Sequence, residues 1–226
     1  MRARRRFATR GKALVPRSLR PKVYNFKRSF VRSLTLGATG DDWTRLYAST
    51  PNGPDAMVNQ FQVTLSDLVS SSDFTNLFSM YKINAVSIKF YFGDTVSQAT
   101  GSAQEGSRQL MMYILPWRTG DAEVLTEEFC LATQKKQTRL CLNSVGKPVS
   151  VYMKMKQLNR VYVSDTTYTT TTQNPKWIST AAIDTPHYGL NFRIQRCDGQ
   201  GFSNSGTTYQ RCRIEHTVYF SCKQVE

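Results

Sequence analysis

No acidic residue precedes Asp41. Histidine is nearly absent too, with only His187 and His216 in 226 residues. Neither has a second histidine at helical spacing, so a helix-borne metal pair is excluded, and each reads as a structural histidine on a strand. The five cysteines (Cys130, Cys141, Cys197, Cys212 and Cys222) include no C-x-x-C pair, which excludes a zinc knuckle or ribbon. Their odd number fits buried free thiols in a protein made in a reducing compartment. No apolar run approaches the roughly 18 residues of a membrane span. No N-x-S/T sequon occurs, and no apolar h-region follows the basic start as a secretory signal would require. A mitochondrial transit peptide also begins Arg-rich and acid-free, but Pro16 and Pro21 interrupt the amphipathic helix it needs.

Motifs for chemistry are missing as well. There is no G-x-x-x-x-G-K-[ST] phosphate loop, and Gly11-Lys12 is followed by alanine rather than a magnesium-binding hydroxyl. There is no G-x-S-x-G nucleophile elbow. A Cys–His pair would meet only in space, and no motif supports one. The acidic pairs Asp41-Asp42 and Glu127-Glu128 read as solvated surface. The expectation is a protein without catalytic residues, metal or cofactor.

What the sequence does have is positive charge, placed unevenly. Lys and Arg total 30 against 16 Asp and Glu, a net of +14. Twelve of the bases fall within residues 1–32: Arg2, Arg4, Arg5, Arg6, Arg10, Lys12, Arg17, Arg20, Lys22, Lys27, Arg28 and Arg32. The remainder holds 18 bases and 16 acids, a net of only +2. A polyanion partner is therefore assigned to one segment rather than to the whole chain. Arg and Lys neutralise phosphates and release condensed counterions, which favours nucleic acid of any sequence. Most of the twelve are Arg, which also grips phosphate bidentately. Nuclear import is read from basic stretches too, but about five residues suffice for that. The twelve are expected to bind nucleic acid.

Residues 1–22 are poor in bulky apolar residues, self-repelling and punctuated by proline, and they read as a disordered arm. Residues 23–226 read as one folded body, 40% of the whole sequence being hydrophobic. That body is mostly strand. Strands are expected at 24–36, at 57–65 with its apolar face on odd positions, and at 83–92 with Val86, Ile88, Phe90 and Phe92 on one face. Others are expected at 109–115, at 138–142, at 149–156 with Lys154 and Lys156 outward, at 187–196 and at 207–222. A short helix is expected from Ser66 as N-cap to Phe78, and a second over 122–131. Long loops are expected at 38–56, 94–108 and 159–186, the last holding the tract Thr166, Thr167, Thr169, Thr170, Thr171 and Thr172. About eight antiparallel strands with long loops fit an all-β, double-sheet jelly roll better than an up-and-down barrel.

Two segments sharpen this reading. Phe74, Leu77, Phe78, Tyr81, Ile83 and Val86 form the pattern F-x-x-L-F-x-x-Y-x-I-x-x-V. Trp177 is followed by His187-Tyr188-Gly189-Leu190, a W…H-x-G-L pattern. Both resemble segments of the capsid proteins of circular, Rep-encoding single-stranded DNA viruses, the group of circoviruses and cycloviruses. The resemblance runs from the arm to the last strands, although the arm is less densely clustered in Arg than circovirus arms often are. It implies a single jelly roll that self-assembles, in about 60 copies, into a small T=1 icosahedral shell. The arm would lie inside on a single-stranded DNA genome. The virion would be its location, and the host nucleus during assembly. Further partners would be host nuclear import factors and a cell-surface receptor. The competing expectation is a cellular nucleic-acid-binding protein with a basic tail.

Overall fold

The computed structural model describes residues 22–35, 45–47, 56–92, 110–116, 127–133, 138–141, 147–162, 168–197 and 211–224. In chain order the elements are β1 (Val23–Thr35), β2 (Arg45–Tyr47), β3 (Ala56–Val63), α1 (Ser71–Leu77), β4 (Met80–Phe92), β5 (Leu110–Pro116) and α2 (Glu127–Thr133). They continue with β6 (Thr138–Cys141), β7 (Val149–Lys154), β8 (Gln157–Tyr162), β9 (Tyr168–Gln173), β10 (Ile178–Ser179), β11 (His187–Arg196) and β12 (Arg211–Lys223).

All strand pairs are antiparallel. In one sheet β1, β12 and β4 lie side by side, with β7 and β10 pairing along the far edge of β4. The other runs β2-β3-β11-β5-β6. Leaving out the short β2 and β10 and the separate β8–β9 hairpin, the pairing is nested: β1 with β12, β3 with β11, β4 with β7, β5 with β6. One long hairpin rolled into two sheets has this pattern, so the chain is an all-β jelly roll.

Alternation builds the interior. Met57, Phe61 and Val63 of β3 face Ile214, Val218 and Phe220 of β12 in one continuous apolar cluster with Leu190, Phe192 and Ile194 of β11. Phe90 meets Phe192 edge-on across the sheets, ring centroids 5.2 Å apart. On the far side of the second sheet, Val58, Tyr113 and Leu115 are covered by Cys130 of α2.

The expected alternation of 83–92 is present, and the pattern I-x-x-V acquires a cause. Upstream, Tyr81 and Ile83 are buried; downstream, Val86, Ile88 and Phe90 are. The parity changes because Ile83 pairs with Phe220 and Ala85 with Tyr219, which leaves Asn84 as the extra residue of a β-bulge. Its carbonyl accepts from Met155 N–H at 3.1 Å, and its amide donates to Ser221 Oγ at 2.7 Å. A second bulge sits at Gly189, where a Cβ would collide with the Met153 side chain. This close approach accounts for the glycine of H-x-G-L.

Three expectations are corrected. The first helix starts at Ser71 rather than after Ser66. The Asp67 carboxylate accepts from Thr64 N–H at 2.8 Å and from Arg32 at 2.8 Å, which fixes a turn there, and Ser70 takes a left-handed φ of 60°. The second helix runs to Thr133, its expected beginning lying outside the described residues. The stretch 159–186 is not a loop, because Thr169–Thr172 pair with Leu158–Val161 in the β8–β9 hairpin. Threonine is β-branched and suits an extended backbone even where no core is available. Within 38–56, Arg45–Tyr47 pair with Ala56–Val58; the expected loop 94–108 lies outside the described residues.

Both histidines are interior. His187 exchanges a hydrogen bond with Gln157 at 2.9 Å and meets the Thr185 carbonyl at 3.1 Å. His216 is stacked between Phe30 and Phe61, at 4.6 and 5.0 Å, and its Nδ1 lacks a hydrogen-bond partner. Burial pushes His187 down to about 4, and burial with the nearby Arg32 charge pushes His216 down to about 3.

Two outcomes follow from this interior. Phe90→Ala should cost roughly 3–5 kcal/mol, read as a lowered melting temperature. An unchanged melting temperature would mean Phe90 does not face the second sheet. The unfolded histidines titrate near about 6.5 and bind protons that the folded ones refuse. The histidines' contribution to stability should therefore be fully present above about pH 6.5 and be lost as the pH falls through about 4 for His187 and about 3 for His216. His216→Phe keeps the stack and should flatten that decline in melting curves taken across the window.

Candidate nucleic-acid interface

Of the twelve basic residues predicted to bind nucleic acid, Arg2, Arg4, Arg5, Arg6, Arg10, Lys12, Arg17 and Arg20 lie outside the described residues. Lys22 is exposed immediately before β1. The other three are on β1 itself and do not act together. β1 is the edge strand of its sheet, and its residues alternate between two sides. Arg28 and Arg32 point to the side of α1. The Arg28 guanidinium sits 5.4 Å from the Phe74 ring centroid, and Arg32 forms an ion pair with Asp67 at 2.8 Å. Lys27 points the opposite way, onto the outward face of the sheet.

That face is set by the strand register. Outward residues of β1 and β12 pair as Asn25 with Ser221, Lys27 with Tyr219, Ser29 with Thr217, Val31 with Glu215 and Ser33 with Arg213. The rows continue on β4 and β7: Tyr219 with Ala85 and Lys154, Thr217 with Ser87 and Tyr152, Glu215 with Lys89 and Ser150. Lys82 stands beside Ser221. Short hydrogen bonds stitch the polar floor: Ser29 with Thr217 at 3.0 Å, and Ser221 donating to Asn25 at 2.7 Å.

The face is basic. It carries Lys27, Lys82, Lys89, Lys154, Arg213 and Lys223 against the single carboxylate Glu215, which accepts from Tyr91 at 3.2 Å. Among the described residues the one ion pair is Arg32–Asp67, so none of these six is held in an ion pair with a described carboxylate. It is also aromatic. Tyr152 is 64% exposed and lies 6.1 Å from Tyr219, with the two rings inclined at 64°. Lys27 Nζ stands 6.0 Å from the Tyr219 centroid, and Lys223 Nζ 4.8 Å from the Trp177 ring.

Sequence reasoning placed Lys154 outward but did not gather this face. Its members come from four strands spread over nearly the whole chain, and only the register unites them. Lys156, expected on the same side as Lys154, is a correction. The chain leaves the first sheet after Lys154, and Lys156 pairs through its backbone with Tyr188 at 2.7 Å, while its Nζ donates to Asn174 at 2.7 Å.

The remaining candidates for chemistry are structural. Burial pushes the Cys130 thiol up to about 11 and Cys222 up to about 12, away from the reactive thiolate form. Cys212 is buried too, whereas Cys197 is exposed, against the expectation of burial. Cys141 has no described side chain, and Asp41-Asp42 lie outside the described residues. Glu127 is not a merely solvated acid. Hydrogen bonds from Gln195 and Tyr113 hold its carboxylate below the usual range, the Tyr113 contact at 2.8 Å.

Solved structures of the same architecture are viral coats. The crystal structure of a 60-mer BFDV capsid protein aligns with a TM-score of 0.51 at 11% identity, covering 90% of this chain and 95% of that one. The Cocksfoot mottle virus structure aligns with a TM-score of 0.43 at 12% identity, covering 91% of this chain and 97% of that one. No curated protein matches the chain. The model of the circovirus capsid protein family, in contrast, matches residues 1–226 in full, so the chain belongs to that family and is a structural, non-enzymatic component of a virion.

Proposed function

We propose that this capsid protein self-assembles into a closed T=1 shell of 60 copies and packages single-stranded DNA through its basic N-terminal segment. The observation that carries the packaging half is the charge division: twelve bases and no acid in residues 1–32, against a net of +2 in the rest. A capsid protein needs one surface for its copies and another for its genome, and this division supplies the second. One segment of this kind binds weakly. Many of them converging in one shell act at high effective concentration, so the shell gains avidity that no single subunit has. The 60-mer assembly of the BFDV relative supports the copy number.

Arg2, Arg4, Arg5, Arg6, Arg10, Lys12, Arg17, Arg20 and Lys22 are the proposed phosphate contacts, with Lys27 beside them. Arg28 and Arg32 contribute less, being held against Phe74 and Asp67. The same segment is suited to recognition by nuclear import factors, which would bring the protein to the host nucleus for assembly.

Size-exclusion chromatography with negative-stain electron microscopy should show uniform hollow particles near physiological salt. A persistent monomer over a range of salt and pH would contradict the assembly half and favour a cellular nucleic-acid binder with a basic tail. Deleting residues 2–22 removes nine bases and leaves 21 against 16 acids, a net of +5. Each phosphate contact on a single strand contributes about −0.7 to the slope of log affinity against log salt. Oligonucleotide titrations should therefore give a slope several units flatter after the deletion. An unchanged slope would place all binding on the folded body.

A further inference from the structure

We propose that the outward face of the β1-β12-β4-β7 sheet is a second nucleic-acid site, where Tyr152 stacks an unpaired base and Lys27 and Lys154 hold the phosphates on either side. This rests on the packaging reading above and gives the strand a place on the folded body.

The chemistry of the face selects the ligand. Its centre is the row Ser29–Thr217–Ser87–Tyr152, in which three small hydroxyl residues lead up to one large exposed ring. The neighbouring row puts Lys27 at one edge and Lys154 at the other, with Tyr219 and the small Ala85 between them. Adjacent strands are about 4.8 Å apart, so the two lysines stand roughly 14 Å from each other across the sheet face. Tyr219 meets Tyr152 at an incline of 64°, and the Tyr152 residue stays 64% exposed. A positively charged groove with open aromatic rings is the arrangement that binds single strands, because every base has a π-face and every nucleotide a phosphate. A duplex keeps its bases stacked internally and would leave the ring unused.

Charge also argues against the other natural occupant, a second copy of the chain. The centres of protein–protein interfaces are depleted in charge. This face carries Lys27, Lys82, Lys89, Lys154, Arg213 and Lys223 with one acid, so two such faces would repel. Within residues 33–226 the face holds five bases against one acid, a net of +4, while that whole stretch nets only +2. The face is thus more basic than the stretch it belongs to.

The test uses the full chain, a fluorescein-labelled oligo-dT probe and three variants. Tyr152→Ala should weaken binding about tenfold at fixed salt and leave the salt slope alone, since stacking carries no charge. Tyr152→Phe keeps the ring and should bind within twofold of the parent. Lys27→Ala with Lys154→Ala should flatten the slope by about 1.4. Tyr152 is exposed, so melting temperatures should barely move, and a matched melting curve assigns any loss to binding. A parent chain that fails to bind the probe overturns the packaging reading and this site with it. A parent that binds, with Tyr152→Ala and the double variant indistinguishable from it, overturns the sheet site alone. Loss of shell formation by Tyr152→Ala without DNA would mark the face as a contact between copies and also overturn the site.

Discussion

One extra residue, Asn84, decides which side of β4 is wet. Without the bulge, a strict two-residue period from Tyr81 would turn Val86, Ile88 and Phe90 outward. With it, all five side chains enter the interior, and Ala85 and Ser87 turn to the opposite face, Ala85 covered there by its neighbours. The bulge also supplies the carbonyl that receives Met155 as the chain leaves the first sheet, and the amide that ties Ser221 and Asn25 into the polar floor. Core packing, the crossing to the second sheet and the outward face therefore depend on the same backbone irregularity.

From this sidedness comes a division of labour. The inner faces of the two sheets supply the cohesion, through aromatic contacts such as Phe90 with Phe192, and Phe74 of α1 closes on Phe220 at 4.9 Å. The outer face of the second sheet is covered by α2. The outer face of the first leaves Tyr152 64% exposed, and there, among the described residues, six bases stand with the single carboxylate Glu215. In the proposed shell, one such basic face per subunit would form a continuous lining, to which the basic N-terminal segment would add a second layer of charge.

The fold was legible where one face of a strand is buried and the other is not. Met57, Phe61 and Val63 on β3, and Val86, Ile88 and Phe90 on β4, announce both strand and orientation by alternation. β11 does so less clearly, since its residues from His187 to Phe192 are buried on both sides. The threonine tract reads as loop by its polarity, whereas β9 needs only extended backbone and a partner. Ser66 and Asp67 look like a helix cap in sequence, yet the Asp67 carboxylate is taken up by Thr64 and Arg32 and the helix starts later. As for the site, the charge of the N-terminal segment is a local property and reads directly from sequence. The sheet face is not local: Lys27, Lys89, Lys154 and Arg213 become neighbours only through a register that brings together strands far apart in the chain. The two family-like patterns did carry that information indirectly, since I-x-x-V marks one bulge and H-x-G-L the other.

The central claim is that the face carrying Lys27, Tyr152 and Lys154 looks toward the genome. Cryo-electron microscopy of particles assembled with a short single-stranded oligonucleotide tests it most directly. The account predicts closed shells with this sheet face lining the interior and extra density against Tyr152, absent from particles assembled without DNA. A shell in which that face points outward, or is buried against a neighbouring copy, would contradict it.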